Sequence, residues 1–198
     1  MGAILQSLGR TTAAGVVLLI VIIVIVGVAT GSWIQLGAHG WWAFFMRWLH
    51  VLSGVMWIGL LWYFNFVQTP SMPQIPDEQK PAVSKVIAPR ALFWFRWAAL
   101  ATVVTGLLLT WMLGSIGALF TFARPHTAIA IGMWLGLIMA FNVWFIIWPN
   151  QKKALGLVSV SPEGKAKAAK MAGMTSRFNT LLSIPMLYCM VAQQNGGL

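Results

Sequence analysis

Acidic residues are nearly missing from this chain: three Asp and Glu residues stand against 13 Lys and Arg residues in 198 residues. Only 8% of the residues are charged and 59% are hydrophobic. A soluble domain carries about 25% charged residues, so the composition predicts an integral membrane protein. Asp77, Glu78 and Glu163 all lie in polar segments outside the apolar runs. Proton pumps and cation carriers that depend on carboxylates within the membrane are therefore disfavoured.

Cysteine is equally scarce, because Cys189 is the single one. The chain therefore has no internal disulfide, no CxxC pair and no CxxCH signal for attaching a c-type haem. Cys189 lies in an apolar run and is expected to be a small buried residue. The net charge of +10 is spread over short loops without a basic helix or an aromatic-basic module. This pattern excludes nucleic acid as a partner and favours a lipid bilayer.

Five apolar runs approach or exceed the length of about 20 residues that crosses a bilayer as a helix. They predict helices at about 13–29, 41–67, 91–113, 126–148 and 176–192. The expected fold is an all-α bundle of five transmembrane helices, with a four-helix core and an N-terminal anchor helix, in a single membrane domain over 1–198. A short amphipathic surface helix is expected at 163–172, and Pro185 is expected to kink the last span.

The cations predict the orientation. All of the 13 Lys and Arg residues except Arg47 and Arg124 lie before the first run or in and beside the segments that follow the second and fourth runs. Short cytoplasmic loops are enriched in Lys and Arg, so this side is predicted to be cytoplasmic. The N-terminus is then cytoplasmic and the C-terminus lies on the outer side.

The second run carries ionisable residues at membrane depth. In a helix, His50, Ser53 and Gly54 share one face, and Arg47 lies one turn before His50. An ionisable residue inside a membrane span indicates a functional site. The small residues beside His50 leave a slot for a flat group. We therefore expect this face to bind haem b, with His50 as an axial ligand.

Residues on other runs extend this outer cluster. Gly106 lies at about the depth of His50, where a missing side chain would leave room for a porphyrin. His126 is the candidate second ligand, and Arg47 and Arg124 are candidates to neutralise the haem propionates. Gly132 and Gly136, spaced GxxxG, also lie near this depth.

Each of these residues also has a structural interpretation. His50 alone is often a hydrogen-bonded packing residue, Arg47 can snorkel to the headgroups, and His126 can be an exposed residue at a helix start. Gly132 and Gly136 can simply bring two helices together. The sixth haem ligand is left open among His126, His39, Met46, water or none.

A second polar set lies near the predicted cytoplasmic ends of the helices. Its members are Asn65, Arg96, Asn142 and Asn179. Side-chain amides between helices favour helix–helix hydrogen bonds worth about 0.6–2 kcal/mol each. The alternative is an anion or substrate pocket, with Arg96 as the charged partner and the amides as orienting donors.

Three segments resemble a known family: MRWLHVLSGVMWIGLLWYFNF, NVWFIIWPNQKKALG and SRFNTLLSIPML. They are similar to the membrane domain of bacterial cytochrome-c-linked urate oxidases, the membrane-bound urate hydroxylases, from about Trp41 to Met190. The second run also resembles, more distantly, the His-bearing first helix of small haem-binding four-helix membrane proteins such as the oxygen-independent protoporphyrinogen oxidases. That similarity points again to His50.

The resemblance implies a protein of the bacterial inner membrane that oxidises urate to 5-hydroxyisourate and passes electrons to a cytochrome c domain. Because this sequence has no CxxCH, we expect a periplasmic cytochrome c on another chain to accept the electrons. The alternative is a non-catalytic accessory subunit of a larger bacterial membrane complex that kept this scaffold. Solute transport is disfavoured, because no inverted repeat or broken helix pair is evident.

Overall fold

The computed structural model describes residues 2–197, which form helices and turns with no β-strand among them. The α-helices are α1 (Gly2–Leu5), α2 (Leu8–Thr30), α3 (His39–Trp62), α4 (Thr69–Ser71), α5 (Ala88–Met112), α6 (Ala118–Thr121), α7 (Thr127–Phe141), α8 (Trp148–Ala154) and α9 (Pro162–Asn195). Three π-helical segments, π1 (Tyr63–Gln68), π2 (Ala82–Ile87) and π3 (Asn142–Ile147), and a 3₁₀ turn at Met72–Gln74 continue or precede these helices.

Four helical stretches are long and apolar enough to cross a membrane: Leu8–Thr30, His39–Gln74, Ala82–Met112 and Thr127–Ala154. They cover the first four predicted spans to within one residue, and each extends beyond its predicted span at one end or at both. The second continues through π1 to Gln74, and the fourth continues through π3 to Ala154. The third begins at Ala82, nine residues before the predicted start. Pro81 lies directly before this stretch, at its N-cap, where a proline is tolerated. Pro89 lies inside the stretch, which continues through it.

The C-terminal region forms one helix where two were predicted. The predicted surface helix at 163–172 and the predicted fifth span at 176–192 are both parts of α9, which continues through Pro185. Ser161 caps its N-terminus by accepting a hydrogen bond from the backbone N–H of Gly164 at 3.1 Å. Ala168 and Ala172, one turn apart, are buried. The first half of α9 therefore packs against protein, which sequence polarity alone did not indicate.

The π-helical segments of residues 2–197 share one sequence feature. Each ends two residues before a proline, at Pro70, Pro89 and Pro149. A proline inside a helix lacks the N–H donor, and its ring clashes with the carbonyl four residues earlier. That carbonyl lies inside the π segment in each case. The wider π turn gives the proline ring room, so the helix continues instead of ending.

The described residues divide into two compact units, with the boundary between Phe44 and Phe45. The first unit contains α1, α2 and the start of α3. Gly31 ends α2 with φ 70°, a left-handed conformation that glycine adopts without strain. Gly27 is the buried residue of α2, and a Cβ there would lie 2.8 Å from the Trp33 ring. The other apolar side chains of α2 are largely exposed.

The second unit has its own hydrophobic core, built from α3, α5, α7, π1, π3 and α9. Trp57, Leu61 and Phe95 are almost fully buried there, at 2%, 0% and 1% exposure. The rings of Phe64 and Phe95 meet edge to face with centroids 5.8 Å apart. The remaining core residues are Ile58, Leu92, Ala98, Ala99, Met139, Ala140, Val143, Ile147 and Met186. This packing sets the positions of the polar groups described next.

Candidate functional site

His50 projects from α3 and is tied to α5 by a hydrogen bond. Its Nδ1 lies 2.8 Å from the backbone carbonyl oxygen of Thr102. A carbonyl can only accept, so Nδ1 carries the proton and donates it. In the neutral imidazole Nε2 then carries the free lone pair. The hydroxyl of Thr105 lies 3.4 Å from the same Nδ1 and donates to the carbonyl of Ala101 at 2.6 Å.

Gly106 makes this arrangement possible. A Cβ at this position would lie 2.8 Å from Cε1 and 3.0 Å from Nδ1 of His50. Carbon atoms do not approach so closely without a shift of one of them. The space that the glycine leaves is therefore filled by the imidazole itself. Sequence reasoning assigned that space to a porphyrin, whereas the structure shows Gly106 seating the ring of His50.

The small neighbours of His50 on α3 are half-buried. Ser53 and Gly54 lie one turn after His50 on the same face. A Cβ on Gly54 would first meet Cγ2 of Thr102 at 4.0 Å, which is ordinary van der Waals contact. Gly54 therefore does not hold a close helix approach, and the space beside it is larger than that beside Gly106.

Arg47, Arg124 and His126 differ in burial and in their positions along the chain. Arg47 lies one turn before His50, and its Nε is buried without a hydrogen-bond partner. Arg124 is exposed in the segment between α6 and α7. His126 is half-buried and occupies the N-cap position of α7. No hydrogen bond or ion pair described for residues 2–197 joins Arg124 or His126 to His50.

The two glycines of the GxxxG pair on α7 differ in their contacts with α9. A Cβ on Gly132 would lie 3.1 Å from Cβ of Cys189, and 3.4 Å from both the carbonyl oxygen of Met186 and the amide nitrogen of Met190. Two of these atoms belong to the backbone of α9. A Cβ on Gly136 would meet nothing within 4 Å. Gly132 is therefore the glycine that lets α7 and α9 approach.

Two of the inner asparagines bond to each other. Nδ2 of Asn142 donates to Oδ1 of Asn179 at 2.8 Å, and Nδ2 of Asn179 donates to the carbonyl of Met139 at 2.9 Å. Both side chains are buried. These bonds connect α9 to α7 and π3. They match the helix–helix interpretation of the amides, since the groups that would orient a ligand are engaged with protein.

The third asparagine bonds elsewhere. Nδ2 of Asn65, in π1, donates to the carbonyl of Leu61 at 2.9 Å and to the hydroxyl of Ser176 at 2.8 Å. A neighbouring link, which sequence reasoning missed, runs from Nε1 of Trp62 to Oγ of Ser183 at 2.9 Å. Together these bonds hold the end of the second span to α9. Asn65 and Asn142 both lie in π segments, which redirect side chains relative to a regular helix.

No hydrogen bond described for residues 2–197 joins Arg96 to the three asparagines. Its guanidinium carbon lies 3.4 Å from the ring centroid of Trp148, a stacked cation–π geometry. Its Nε and Nη1 atoms are buried without a hydrogen-bond partner. The pocket of Arg96 with Asn65, Asn142 and Asn179 stays a prediction. The contact described for the Arg96 guanidinium is the one with the Trp148 indole.

Gln193, also missed by sequence reasoning, ties the end of α9 to the start of α7. Its Oε1 accepts from the backbone N–H of Ile129 at 3.1 Å, and its Nε2 donates to the carbonyl of Pro125 at 2.8 Å. The first N–H groups of a helix lack partners within the helix. Gln193, which is distant in sequence, supplies an acceptor for one of them. In the sequence, the feature that could have indicated this role is a polar amide directly after an apolar run.

Residues 2–197 contain no group of three or more His, Cys, Asp or Glu side chains that could hold a metal ion. Two shallow apolar grooves lie on the surface, one along Leu52, Val55, Met56, Gly59 and Leu60, the other along Trp134, Leu137, Ile138 and Phe141. Neither groove is lined by His50 or Arg96.

Comparison with protein families gives one match. Residues 111–196 match the model described as urate oxidase N-terminal. The matched segment contains Arg124, His126, Asn142 and Asn179, whereas His50, Gly106 and Arg96 precede it. No curated protein and no solved structure matches the chain. Over residues 111–196, from the end of α5 through α9, this chain is thus similar to the N-terminal domain of urate oxidases.

Proposed function

We propose that this protein is a haem-b-binding membrane redox subunit, related to the membrane domain of urate oxidases, that passes electrons to a periplasmic cytochrome c. The observation that carries the proposal is the hydrogen bond from Nδ1 of His50 to the carbonyl of Thr102. Histidines that bind metals almost always donate their other ring N–H to a carbonyl, carboxylate or water, which fixes the tautomer and the ring orientation. The family match over residues 111–196 supports a urate-oxidase-related function.

The residues around His50 fit an axial imidazole. Thr102 holds Nδ1, Gly106 seats the ring, and Nε2 keeps its lone pair for a metal. Arg47 lies one turn away with a buried Nε that lacks an acceptor. A carboxylate such as a haem propionate is an acceptor that would satisfy it. Ser53 and Gly54 provide the small surface beside the ligand, and Arg124 and His126 are the remaining candidates for a propionate partner and a second ligand.

In this proposal the bound haem supplies one-electron transfer, and the protein residues bind and orient it. Thr102 keeps His50 in one tautomer, and the buried surroundings of the ring limit access of water. The apolar second half of α9 serves as the fifth span beside the four candidate spans. In this proposal the cation-rich ends of the helices are cytoplasmic, so that His50 lies in the outer half of the bilayer, near a periplasmic electron acceptor.

A visible absorption spectrum of the purified protein tests the proposal. We expect a reduced-minus-oxidised difference spectrum with a b-type haem band in the wild type, and its loss in His50→Ala. His50→Gln keeps a hydrogen-bond donor for Thr102 but removes the ring nitrogen, so it separates loss of ligand from loss of folding. Lys153→Gln, an exposed change far along the chain, should keep the band. A wild-type protein without any haem band contradicts the proposal.

His126→Ala tests the second ligand separately. If His126 completes the coordination, this variant keeps haem but changes the band from that of a six-coordinate low-spin haem. An unchanged spectrum would leave His50 as the single protein ligand from this pair. Urate-dependent reduction of an added cytochrome c by the haem-loaded protein then tests the proposed substrate.

A second candidate function is a non-catalytic accessory subunit of a larger bacterial membrane complex. The observation that favours it is that the imidazole of His50 fills the space at Gly106, while the buried amide of Asn142 donates to Asn179 and that of Asn179 donates to the carbonyl of Met139. Both contacts are of the kind that packs helices together and needs no ligand. Purification from native membranes with other chains, with no haem band in the complex, would support this alternative. A haem-loaded monomer that reduces cytochrome c would contradict it.

A further inference from the structure

We propose that Arg96, Trp148 and Lys152 form a binding site for the phosphate group of an acidic phospholipid. This site is independent of the proposed haem site. It lies on α5 and α8, near the predicted cytoplasmic ends of the spans.

Arg96 is only partly satisfied by the protein. Its Nε and Nη1 are buried and have no acceptor. A buried donor without a partner destabilises the fold, and more so when the group is charged. The stacking on Trp148 at 3.4 Å compensates for part of the lost hydration. It supplies neither an acceptor nor a negative charge.

No acidic side chain of the described residues offers that charge. Asp77 pairs with Lys80 at 2.6 Å, and Glu78 and Glu163 lie in the segments outside the four candidate spans. Oε1 of Gln151, on the same helix as Trp148, is an acceptor, yet it is itself buried without a partner. The anion that neutralises Arg96 must therefore come from outside the chain.

A second cation approaches the same indole. Nζ of Lys152 lies 5.6 Å from the ring centroid of Trp148. Nε1 of Trp144, one turn earlier, is a further buried donor without a partner. Two cations at one aromatic ring repel each other unless an anion lies near both. A phosphate suits this arrangement, because a guanidinium donates in a planar fork to its oxygens and a lysine adds a point charge.

The neighbours of Arg96 indicate that the phosphate arrives on a lipid. Trp94 and Trp97 flank Arg96 on α5 and are 56% and 46% exposed. Tryptophan is enriched at the level of the lipid headgroups. Lys152 and Lys153 lie on the side that carries most cations, where acidic lipids concentrate in a cytoplasmic leaflet and bind basic pockets between spans. An acidic headgroup at this level reaches Arg96 from the bilayer.

The experiment compares lipids and matched variants of the full chain in detergent. Binding is read by native mass spectrometry and by the shift of the unfolding temperature on adding phosphatidylglycerol, phosphatidylcholine or inorganic phosphate. We expect phosphatidylglycerol to bind and raise the unfolding temperature of the wild type, with little effect of phosphatidylcholine or phosphate. Arg96→Gln should weaken binding by at least about tenfold. Lys152→Gln should weaken it less, and Lys153→Gln should bind as the wild type does.

Several results would overturn the proposal. Equal stabilisation by phosphatidylcholine would show that the headgroup charge is irrelevant. Equal losses in Arg96→Gln and Lys153→Gln would show a general effect of charge. Stabilisation by inorganic phosphate alone, with no response to phosphatidylglycerol, would exclude a lipid as the source. If Arg96→Gln does not fold, the comparison of Lys152→Gln with Lys153→Gln decides, and a difference below about twofold between them contradicts the site. The haem band at His50 should be unchanged in every variant.

Discussion

The imidazole of His50 lies where the side chain of residue 106 would be if it were not glycine. A Cβ there would be 2.8 Å from Cε1 of His50, and Nδ1 of the same ring donates to Thr102 one turn earlier. At this point α3 and α5 are therefore joined by the polar side chain of His50 and not by apolar side chains. Both proposed functions depend on this contact, one through the free Nε2 and the other through packing alone.

Gly106→Ala is expected to destabilise the protein. The added methyl forces the His50 ring away from α5, which costs about 1–3 kcal/mol of overpacking and strains the bond to Thr102. Thermal unfolding in detergent measures the change. Gly54→Ala is the control, since its Cβ would meet Thr102 at 4.0 Å, and it should be neutral or slightly stabilising. Equal unfolding temperatures for the two variants would contradict the contact.

Gly132→Ala is expected to destabilise the protein, whereas Gly136→Ala is not. The methyl on Gly132 presses on Cys189 and on the backbone of α9, so we expect a loss of about 1–3 kcal/mol. The methyl on Gly136 has open space, and alanine is favoured over glycine in a helix by up to about 1 kcal/mol. Chemical unfolding of both variants tests this order. A more stable Gly132→Ala would show that α7 and α9 are further apart.

The bond between Asn142 and Asn179 should appear as a coupling energy. Asn179→Leu removes two side-chain hydrogen bonds, the one from Asn142 and the one to the carbonyl of Met139, whereas Asn142→Leu removes one. We expect the first variant to lose more stability, with a pairwise coupling of about 0.6–2 kcal/mol. A double-mutant cycle measures it. Additive losses would mean that the two amides do not interact.

Gln193→Ala should lower the stability by about 1 kcal/mol, because the N–H of Ile129 loses a cap and the carbonyl of Pro125 loses a donor. Gln194, the next residue, is exposed and is the matched control. Gln194→Ala should unfold at the wild-type temperature. Hydrogen exchange at the start of α7 should increase in Gln193→Ala only, and equal exchange in both variants would contradict the cap.

Asp77 allows a prediction about pH. The hydrogen bond from Lys80, and then the lysine charge, hold the pKa of the Asp77 carboxyl below its usual value. A lowered pKa in the folded state stabilises the fold above the unfolded pKa, and this contribution is lost as the pH falls through the folded pKa. The pair is exposed, so the effect should be small. Asp77→Asn should differ from the wild type less at pH 3 than at pH 7 in unfolding experiments, and a larger difference at pH 3 would contradict it.

Much of the fold follows from the sequence, because spans are set by long apolar runs that need no knowledge of their neighbours. Leu8–Thr30 and the three other candidate spans each cover a predicted helix to within one residue. Their ends were less predictable. Pro70, Pro89 and Pro149 suggested breaks, and the π segments before them allow the helix to continue. The joining of 163–172 to the rest of α9 depends on burial of Ala168 and Ala172, and alanine gives no strong signal on its own.

The sequence by itself determined that this chain is a bundle of apolar helices, with His50 and Arg96 as unusual polar residues within it. Local composition is sufficient for that, since apolar runs and the rarity of charge depend on each segment alone. Only the tertiary structure decided the partners: the carbonyl of Thr102 for His50, the ring of Trp148 for Arg96, and Asn179 for Asn142. Backbone carbonyls are present at every residue, and which one meets a side chain depends on how two helices are set against each other.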